Sequence, residues 1–297
     1  MPNYRKELLD AKKAYKAKDY EVAYEIYSNL YGEAPFDNST RYSYAWTIYQ
    51  LKIRDYQSRD ELMESAELVT ELTRQNNLNF TKMCVYTMSV FKVLKLLYYE
   101  REYDELPHWL DKINPDLLDQ VRYNRNGEMY PSNMESYYVW ASVTYLKLED
   151  YEKCIEVSRR ALSKLNKFTH NNAEFFQWRL AKSLRQIGEY EQSLKFLKII
   201  QLDEWYVDKE IAENYYALND KNQALEHAVK AALKGGPMDM KYNLYRLIAE
   251  ILYETDPEMA LKHDELCDLI LNEESEGKIE LESELVDFWN VLVRDFN

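Results

Sequence analysis

Glycine and proline are scarce in this sequence, which contains six glycines and seven prolines among 297 residues. A chain built mainly of β-strands needs frequent turns, and these two residue types make many of them. Their scarcity therefore disfavours a β-rich fold and favours helices joined by short connections. The length also exceeds the usual size of one closed hydrophobic core, so we expect two domains or a repeat array.

Cysteine is also rare, and its placement argues against a disulfide framework. Cys84, Cys154 and Cys267 are odd in number and far apart, and no C-x-x-C pair occurs. This pattern predicts reduced thiols at packed positions in a cytosolic protein.

The sequence lacks the long apolar run of about 18–20 residues that a membrane span requires. Its most apolar stretch, residues 85–99, is interrupted by Lys92 and Lys95. The polar N-terminal residues are not typical of a signal peptide. The expectation is a soluble, cytoplasmic protein without a membrane partner.

Positive charge is in deficit, with 38 lysines and arginines against 52 acidic residues and a net charge of −14. A surface of this sign as a whole repels nucleic acid and anionic membranes. A local basic patch could still override that repulsion.

Sequence signatures of catalysis are missing as well. The histidines fall in separate predicted hairpins, none at ligand spacing from another histidine or a cysteine: His108, His170, His227 and His263. A metal site needs three or four converging ligands. His263 begins a polar run, His263-Asp264-Glu265, that we interpret as a solvated helix face. No phosphate-binding glycine loop and no nucleophile elbow occurs. The prediction is that the chain is not an enzyme and holds no metal or cofactor.

What the sequence does contain is a well-marked helical hairpin at residues 174–200. Apolar residues recur at three- and four-residue spacing on its first half: Phe176, Leu180, Leu184 and Ile187. Gly188 is expected to end that helix in a left-handed conformation. A second periodic run follows: Tyr190, Leu194, Leu197 and Ile200. One such hairpin cannot bury its apolar faces alone, so it needs neighbours of the same kind.

Similar hairpins recur along the chain with small residues at the helix contacts. In the first, residues 3–35, Ala11, Ala23 and Tyr27 are followed by a closing Pro35. Later small residues, Cys154, Ser193, Ala224 and Ala260, are separated by 39, 31 and 36 positions. This frame resembles that of tetratricopeptide repeat proteins of bacterial, archaeal or phage type, whose repeat is about 34 residues.

The resemblance implies an all-α, right-handed α-solenoid of six or seven antiparallel helix hairpins, with a capping helix at residues 278–296. We divide the chain into an N-terminal sub-array, residues 1–113, a loop or linker, 114–133, and a C-terminal sub-array, 134–297. Residues 203–216 also bear a fainter resemblance to repeat proteins of conflict and defence systems.

In tetratricopeptide arrays the first helix of each hairpin lines a concave groove, and the resemblance assigns partner-binding positions on that basis. They are Phe175, Trp178, Arg179, Lys182 and Arg185 on the central hairpin, Lys209 and Tyr216 on the next, and Tyr242, Tyr245 and Arg246 on the one after. The ligand of such a basic and aromatic strip is expected to be acidic. The alternative is that Arg179, Lys182 and Arg185 pair with glutamates of the adjacent hairpin, such as Glu210 or Glu213.

The leading functional hypothesis is a non-catalytic scaffold or adaptor that binds a peptide segment or a protein partner in the groove. The first alternative is binding of nucleic acid, most reasonably RNA, by the basic and aromatic strip. The second is a regulatory switch that responds to a peptide, which the resemblance would place in a defence system. The sequence leaves the oligomeric state open.

Overall fold

The computed structural model describes residues 4–75, 83–272 and 281–296. Contacts divide the chain into two compact units. Unit 1 comprises Met1–Asp150 and Ser163–His170, and unit 2 comprises Tyr151–Leu162 and Asn171–Asn297. The predicted division into two sub-arrays joined by residues 114–133 describes how the repeats are grouped, and it stays a prediction.

Unit 1 is built of helices that contact one another in chain order. They are α1 (Tyr4–Lys16), α2 (Tyr20–Leu30), α3 (Asn38–Ile48), α4 (Arg59–Leu72), α5 (Val85–Glu100), α6 (Leu106–Leu110) and α7 (Asn133–Lys147). In the first hairpin Ala11 and Ala23 are fully buried, which lets α1 and α2 approach closely. Asp19 accepts a hydrogen bond from the backbone N–H of Val22 and so caps the start of α2. The predicted first hairpin is confirmed.

The second and third hairpins follow the periodic pattern with one local difference. Helix α3 continues into one π-helical turn, Tyr49–Ile53. The predicted third hairpin begins at residue 79, and residues 79–82 lie outside the described residues.

Residues 114–133, predicted to be a loop or linker, contain two short local elements. A short 3₁₀ turn, Pro115–Leu117, precedes an antiparallel β-hairpin of β1 (Tyr123–Arg125) and β2 (Glu128–Tyr130). The turn residues Asn126 and Gly127 have φ of 54° and 86°. Asn-Gly with both φ values positive is the preferred two-residue β-hairpin connection, so the Asn-Gly signal marked a hairpin rather than an irregular loop.

Unit 2 contains the more regular hairpins. Helix α8 (Tyr151–Lys164) is followed by α9 (Asn172–Gln186), α10 (Tyr190–Leu197), α11 (Trp205–Ala217), α12 (Lys221–Leu233), α13 (Tyr242–Leu252), α14 (Pro257–Asn272) and α15 (Ser283–Phe296). Gly188 has φ of 85° between α9 and α10, as predicted. Phe176, Leu180 and Leu184 are buried, but Ile187 is 41 % exposed. Ile187 comes after the last residue of α9, so the prediction that it belongs to the apolar face was wrong.

The last helix, α15, packs onto α12 and α14, and its Leu285 and Trp289 are buried. Its predicted start at residue 278 lies outside the described residues. Trp289 Nε1 donates a hydrogen bond of 2.9 Å to His263 Nε2, and His263 Nδ1 lies 2.7 Å from the carbonyl oxygen of Met259. His263 is fully buried, which corrects its assignment to a solvated face. Position 263 belongs to the core because the indole of α15 docks on it.

The predicted fold class, an all-α helical-repeat solenoid, is confirmed. Within the described ranges, none of the helices is both long and apolar enough to cross a lipid bilayer.

Candidate functional site

The predicted binding residues lie on the first helix of three successive hairpins in unit 2. Each helix repeats one spacing, i, i+4 and i+7, which places three side chains on a single face. The triplets are Trp178, Lys182 and Arg185 on α9, Lys209, Glu213 and Tyr216 on α11, and Tyr242, Arg246 and Ala249 on α13. The three helices therefore present related faces to one side of the unit.

An ion-pair network joins α9 to α11 on these faces. Glu210 accepts from Arg185 Nε at 2.9 Å, and its other oxygen lies 3.3 Å from Lys182 Nζ. Glu213 lies 2.9 Å from Arg185 Nη2 and 2.5 Å from Lys209 Nζ. Three cations thus share two carboxylates. The alternative that Lys182 and Arg185 pair with glutamates of the next hairpin is confirmed.

Glu210 is the centre of this network, with only 2 % of its side chain exposed. Burial alone would raise the pKa of Glu210, but Arg185, Lys182 and Lys209 lower it below the usual range of a glutamate. Burial likewise opposes the charge of Arg185, and Glu210 and Glu213 outweigh it, which raises the pKa of Arg185. Glu210 and Arg185 are therefore both charged at neutral pH.

The aromatic residues of α9 are also engaged within the unit. The Trp178 ring meets Tyr206 edge to face at 5.3 Å, and Lys182 Nζ lies 5.2 Å from the Trp178 ring centre. These contacts hold the start of α11 against α9. They are of the kind that stabilises packing between neighbouring helices.

Arg179 is buried rather than presented to the groove. Its guanidinium carbon lies 5.4 Å from the ring centre of Phe176 and 5.8 Å from that of Phe175. Only 7 % of Arg179 is exposed. Phe175, Trp178 and Arg179 are thus brought together in the packing around α9, and a role in partner binding stays a prediction for them.

Tyr245, one of the predicted binding residues, lies in the core and not in the groove. It is fully buried, and its ring stacks on Trp289 with the centres 5.8 Å apart and the planes at 6°. Burial raises the pKa of Tyr245 to about 12. Tyr245 is three residues after Tyr242 but faces the core beneath α15, so it cannot line the groove in this structure.

A groove of about 440 Å³ runs between α11 and α13, and a second compartment of about 320 Å³ continues it. The two compartments share Tyr216, Arg246 and Glu250. The first is lined in addition by Arg185, Glu213, Ala217, Tyr242, Asn243 and Leu247, and the second by Ala249, Tyr253 and Asp264. Of the predicted residues, Arg185, Tyr216, Tyr242 and Arg246 are therefore brought together around one groove.

The groove also contains residues that the sequence analysis missed, namely Glu250 and Tyr253. Tyr242, Arg246, Glu250 and Tyr253 follow one another at spacings of four, four and three. Tyr242 and Arg246 define one face of α13, and extending that face by two turns beyond Arg246 would have found both residues. Arg246 Nη1 lies 3.1 Å from Asp264 Oδ1 on the following helix α14, and Tyr253 is 74 % exposed.

The residues needed for metal or thiol chemistry are not gathered here. Within the ranges that the structure describes, no group of three or more histidine, cysteine, aspartate and glutamate residues could hold a metal ion. Cys84, Cys154 and Cys267 are buried free thiols, as expected from their packed positions. Burial raises the pKa of Cys267 to about 11, which disfavours the reactive thiolate.

Comparison with known proteins finds likenesses of structure but not of sequence. No protein-family model matches the chain, and no curated protein does. Among solved structures, the chain is similar to a tetratricopeptide repeat protein from Parabacteroides merdae, with 14% identity and a TM-score of 0.41 over 98% of this chain and 97% of that chain. The apo form of RapI gives 12% identity and a TM-score of 0.46 over 98% and 81%. BtubC from P. vanneervenii gives 11% and 0.45 over 84% and 97%.

These values say nothing of what the chain binds, and its resemblance to defence-associated repeat proteins stays a prediction. The fold is evident from the chain itself, because the helices within each unit pack as neighbours along the sequence and short turns join them. The chain is an all-α helical-repeat protein, and its likeness to tetratricopeptide repeat proteins is a likeness of fold.

Proposed function

We propose that unit 2 is a non-catalytic scaffold that binds a peptide segment, either free or within a protein partner, along the groove between α11 and α13. The observation that carries this proposal is the groove itself, with Tyr216, Tyr242 and Tyr253 spaced along its two compartments. Tyrosine offers a large apolar ring and a polar tip at a low cost in side-chain entropy, which is why it is enriched at binding hot spots.

The buried network next to the groove supports this role. Arg185 and Glu213 belong both to the network and to the groove wall. Because each is held by an ion pair, the wall is fixed before a ligand arrives. A preorganised wall lowers the ordering cost of binding.

The acidic ligand predicted from the sequence stays a prediction, but its basis is reduced. Lys182, Arg185 and Lys209 already contact the carboxylates of the network, and Arg246 contacts Asp264. An acidic segment would have to compete with these protein carboxylates. The same pairing weakens the basis of the nucleic-acid alternative, which also stays a prediction. The switch hypothesis also stays a prediction.

The proposal is tested by photo-crosslinking at Tyr253 in the cell from which the gene comes. A photoreactive phenylalanine analogue replaces Tyr253, and the matched control carries it at Tyr99 of unit 1. The control is suitable because Tyr99 is 71 % exposed and Tyr253 is 74 % exposed. We expect a discrete adduct with a peptide or protein at position 253 and none at position 99.

Equal labelling at both positions, or no adduct at position 253, would contradict the proposal. A nuclease-sensitive adduct would favour the RNA alternative, and the affinity should then fall steeply with salt because phosphate contacts release counterions. Tyr253 is preferred to Lys182 and Arg185 as a probe, since reversing those two charges would disrupt the buried network and report on folding.

A further inference from the structure

The charged groups of the groove are not equally available to a ligand. Arg185 is held by Glu210 and Glu213, and Arg246 is held by Asp264. Glu250 lines both compartments, and within the described part of the chain it makes no ion pair. Among the charged side chains that line the groove, Glu250 is therefore the one that stays available to a ligand.

The position of Glu250 explains why its neighbour does not neutralise it. Arg246 lies four residues before Glu250 on α13, within reach of an i, i+4 pair. A cation placed N-terminal to an acid is the weaker orientation of such a pair. Arg246 instead contacts Asp264 at 3.1 Å, on the following helix α14.

Aromatic rings lie beside this carboxylate. Tyr216 from α11 and Tyr253 line the same compartment of about 320 Å³ as Glu250. The face of an aromatic ring attracts a lysine ammonium or an arginine guanidinium, and a carboxylate adds a charge-assisted hydrogen bond. A compartment with a carboxylate and two tyrosines therefore matches a cationic side chain.

The charge of the whole chain acts in the same direction. A net charge of −14 attracts a basic partner during diffusional encounter and repels an acidic one.

We infer that the groove between α11 and α13 recognises a basic peptide segment, with a lysine or arginine of that segment seated between Glu250, Tyr216 and Tyr253. This inference rests on the proposed function of the groove and specifies its ligand. It reverses the sign of ligand charge that the sequence pattern alone predicts.

The test is selection of a displayed library of random 12-residue peptides on the full-length protein. We expect the enriched peptides to share lysine or arginine. For the best synthetic peptide, Glu250→Lys should weaken binding at least about tenfold, because it removes the ion pair and places a second cation against the basic residue of the peptide. A peptide in which the basic residue is changed to glutamate should recover affinity for that variant. The matched control is Glu265→Lys, at an exposed mid-helix position of α14 that does not line the groove.

The outcomes separate the two claims. If the enriched peptides are neutral or acidic, or if Glu250→Lys binds as Glu265→Lys does, the basic ligand is refuted. The proposed function then still stands, provided that Tyr253→Ala weakens binding. If no peptide is enriched on protein that melts cooperatively, both the groove's function as a peptide site and the basic ligand are refuted.

Discussion

Replacing Glu210 by glutamine tests whether the buried network holds α9 and α11 together. The substitution preserves the size of the side chain and removes its charge. Lys182 then loses its carboxylate partner, while Arg185 keeps only Glu213. Because Glu210 is almost fully buried, water cannot replace the lost interaction.

The magnitude follows from the cost of leaving buried charge without its partner. Breaking a buried ion pair typically costs 3–5 kcal/mol, and Arg185 retains Glu213, so we expect the lower end of this range, about 3 kcal/mol. With a urea m-value of about 2 kcal/mol/M, the unfolding midpoint should fall by about 1.5 M. The matched control is Glu250→Gln, an exposed glutamate that forms no ion pair with the residues that the structure describes. This change should alter the free energy of unfolding by less than about 0.5 kcal/mol.

The pH dependence of the free energy of unfolding gives a second measure of what the Glu210 charge contributes. The pKa of Glu210 lies below its usual value of 4.5 because the neighbouring cations outweigh the effect of burial. A carboxylate whose folded-state pKa is lowered stabilises the fold fully above its unfolded pKa, and this stabilisation is lost as pH falls through the folded pKa. The difference between wild type and Glu210→Gln should therefore be largest near pH 7 and should shrink below about pH 4.5.

The assay is urea unfolding followed by circular dichroism for wild type, Glu210→Gln, Arg185→Met, Glu250→Gln and the combination of Glu210→Gln with Arg185→Met. The double variant should lose less stability than the sum of the losses in the two single variants, because Glu210 and Arg185 share one interaction. A Glu210→Gln midpoint equal to that of Glu250→Gln, or full additivity in the double variant, would show that the network contributes nothing to stability.

Three further predictions concern other parts of the fold. Gly188→Val should lower the free energy of unfolding by about 1–2 kcal/mol because Gly188 has φ of 85°. Gly235→Val should have a smaller effect because φ at Gly235 is not positive, and the melting temperatures of the two variants test this difference. Lys241→Met should cost about 2 kcal/mol in urea unfolding, because the buried ammonium donates to the carbonyl oxygens of Ala232 and Lys234 at the end of α12, and an unchanged midpoint would contradict this role. Burial lowers the pKa of His263 below its usual 6.5. As pH falls, the unfolded chain therefore binds a proton at His263 at a higher pH than the folded chain does, and the free energy of unfolding should fall by up to about 1.4 kcal/mol per pH unit below pH 6.5. His263→Gln should lose that slope when melting is followed between pH 7 and pH 5.

Local elements could be predicted because their causes are local. The three- and four-residue spacing of Phe176, Leu180 and Leu184 predicted α9, and Gly188 predicted its end. The error at Ile187 was local as well, because Ile187 continues the apolar spacing but follows the end of its helix. The punctuation at Asn126-Gly127 predicted a loop or turn, and these two residues form the turn of a β-hairpin.

The sequence placed the predicted binding residues on helix faces but could not show which of them form ion pairs. The i, i+4, i+7 spacing placed Lys182 and Arg185 on one face of α9. Arg185 is separated from Glu210 by 25 positions, so no helical period reports that they meet. Spacing alone could suggest this pairing only as an alternative to ligand binding.

The sequence by itself determined the helices, their order and which side chains share a helix face, since these depend on backbone propensity and on a period of 3.6 residues. Only the tertiary structure decided which of those side chains remain available. The docking of α15 placed Trp289 on Tyr245 and so buried that tyrosine, while Arg246 found Asp264 on α14 and Glu250 kept no ion pair among the described residues. Ion pairing depends on separations of a few ångströms between groups on different helices, and packing sets those separations.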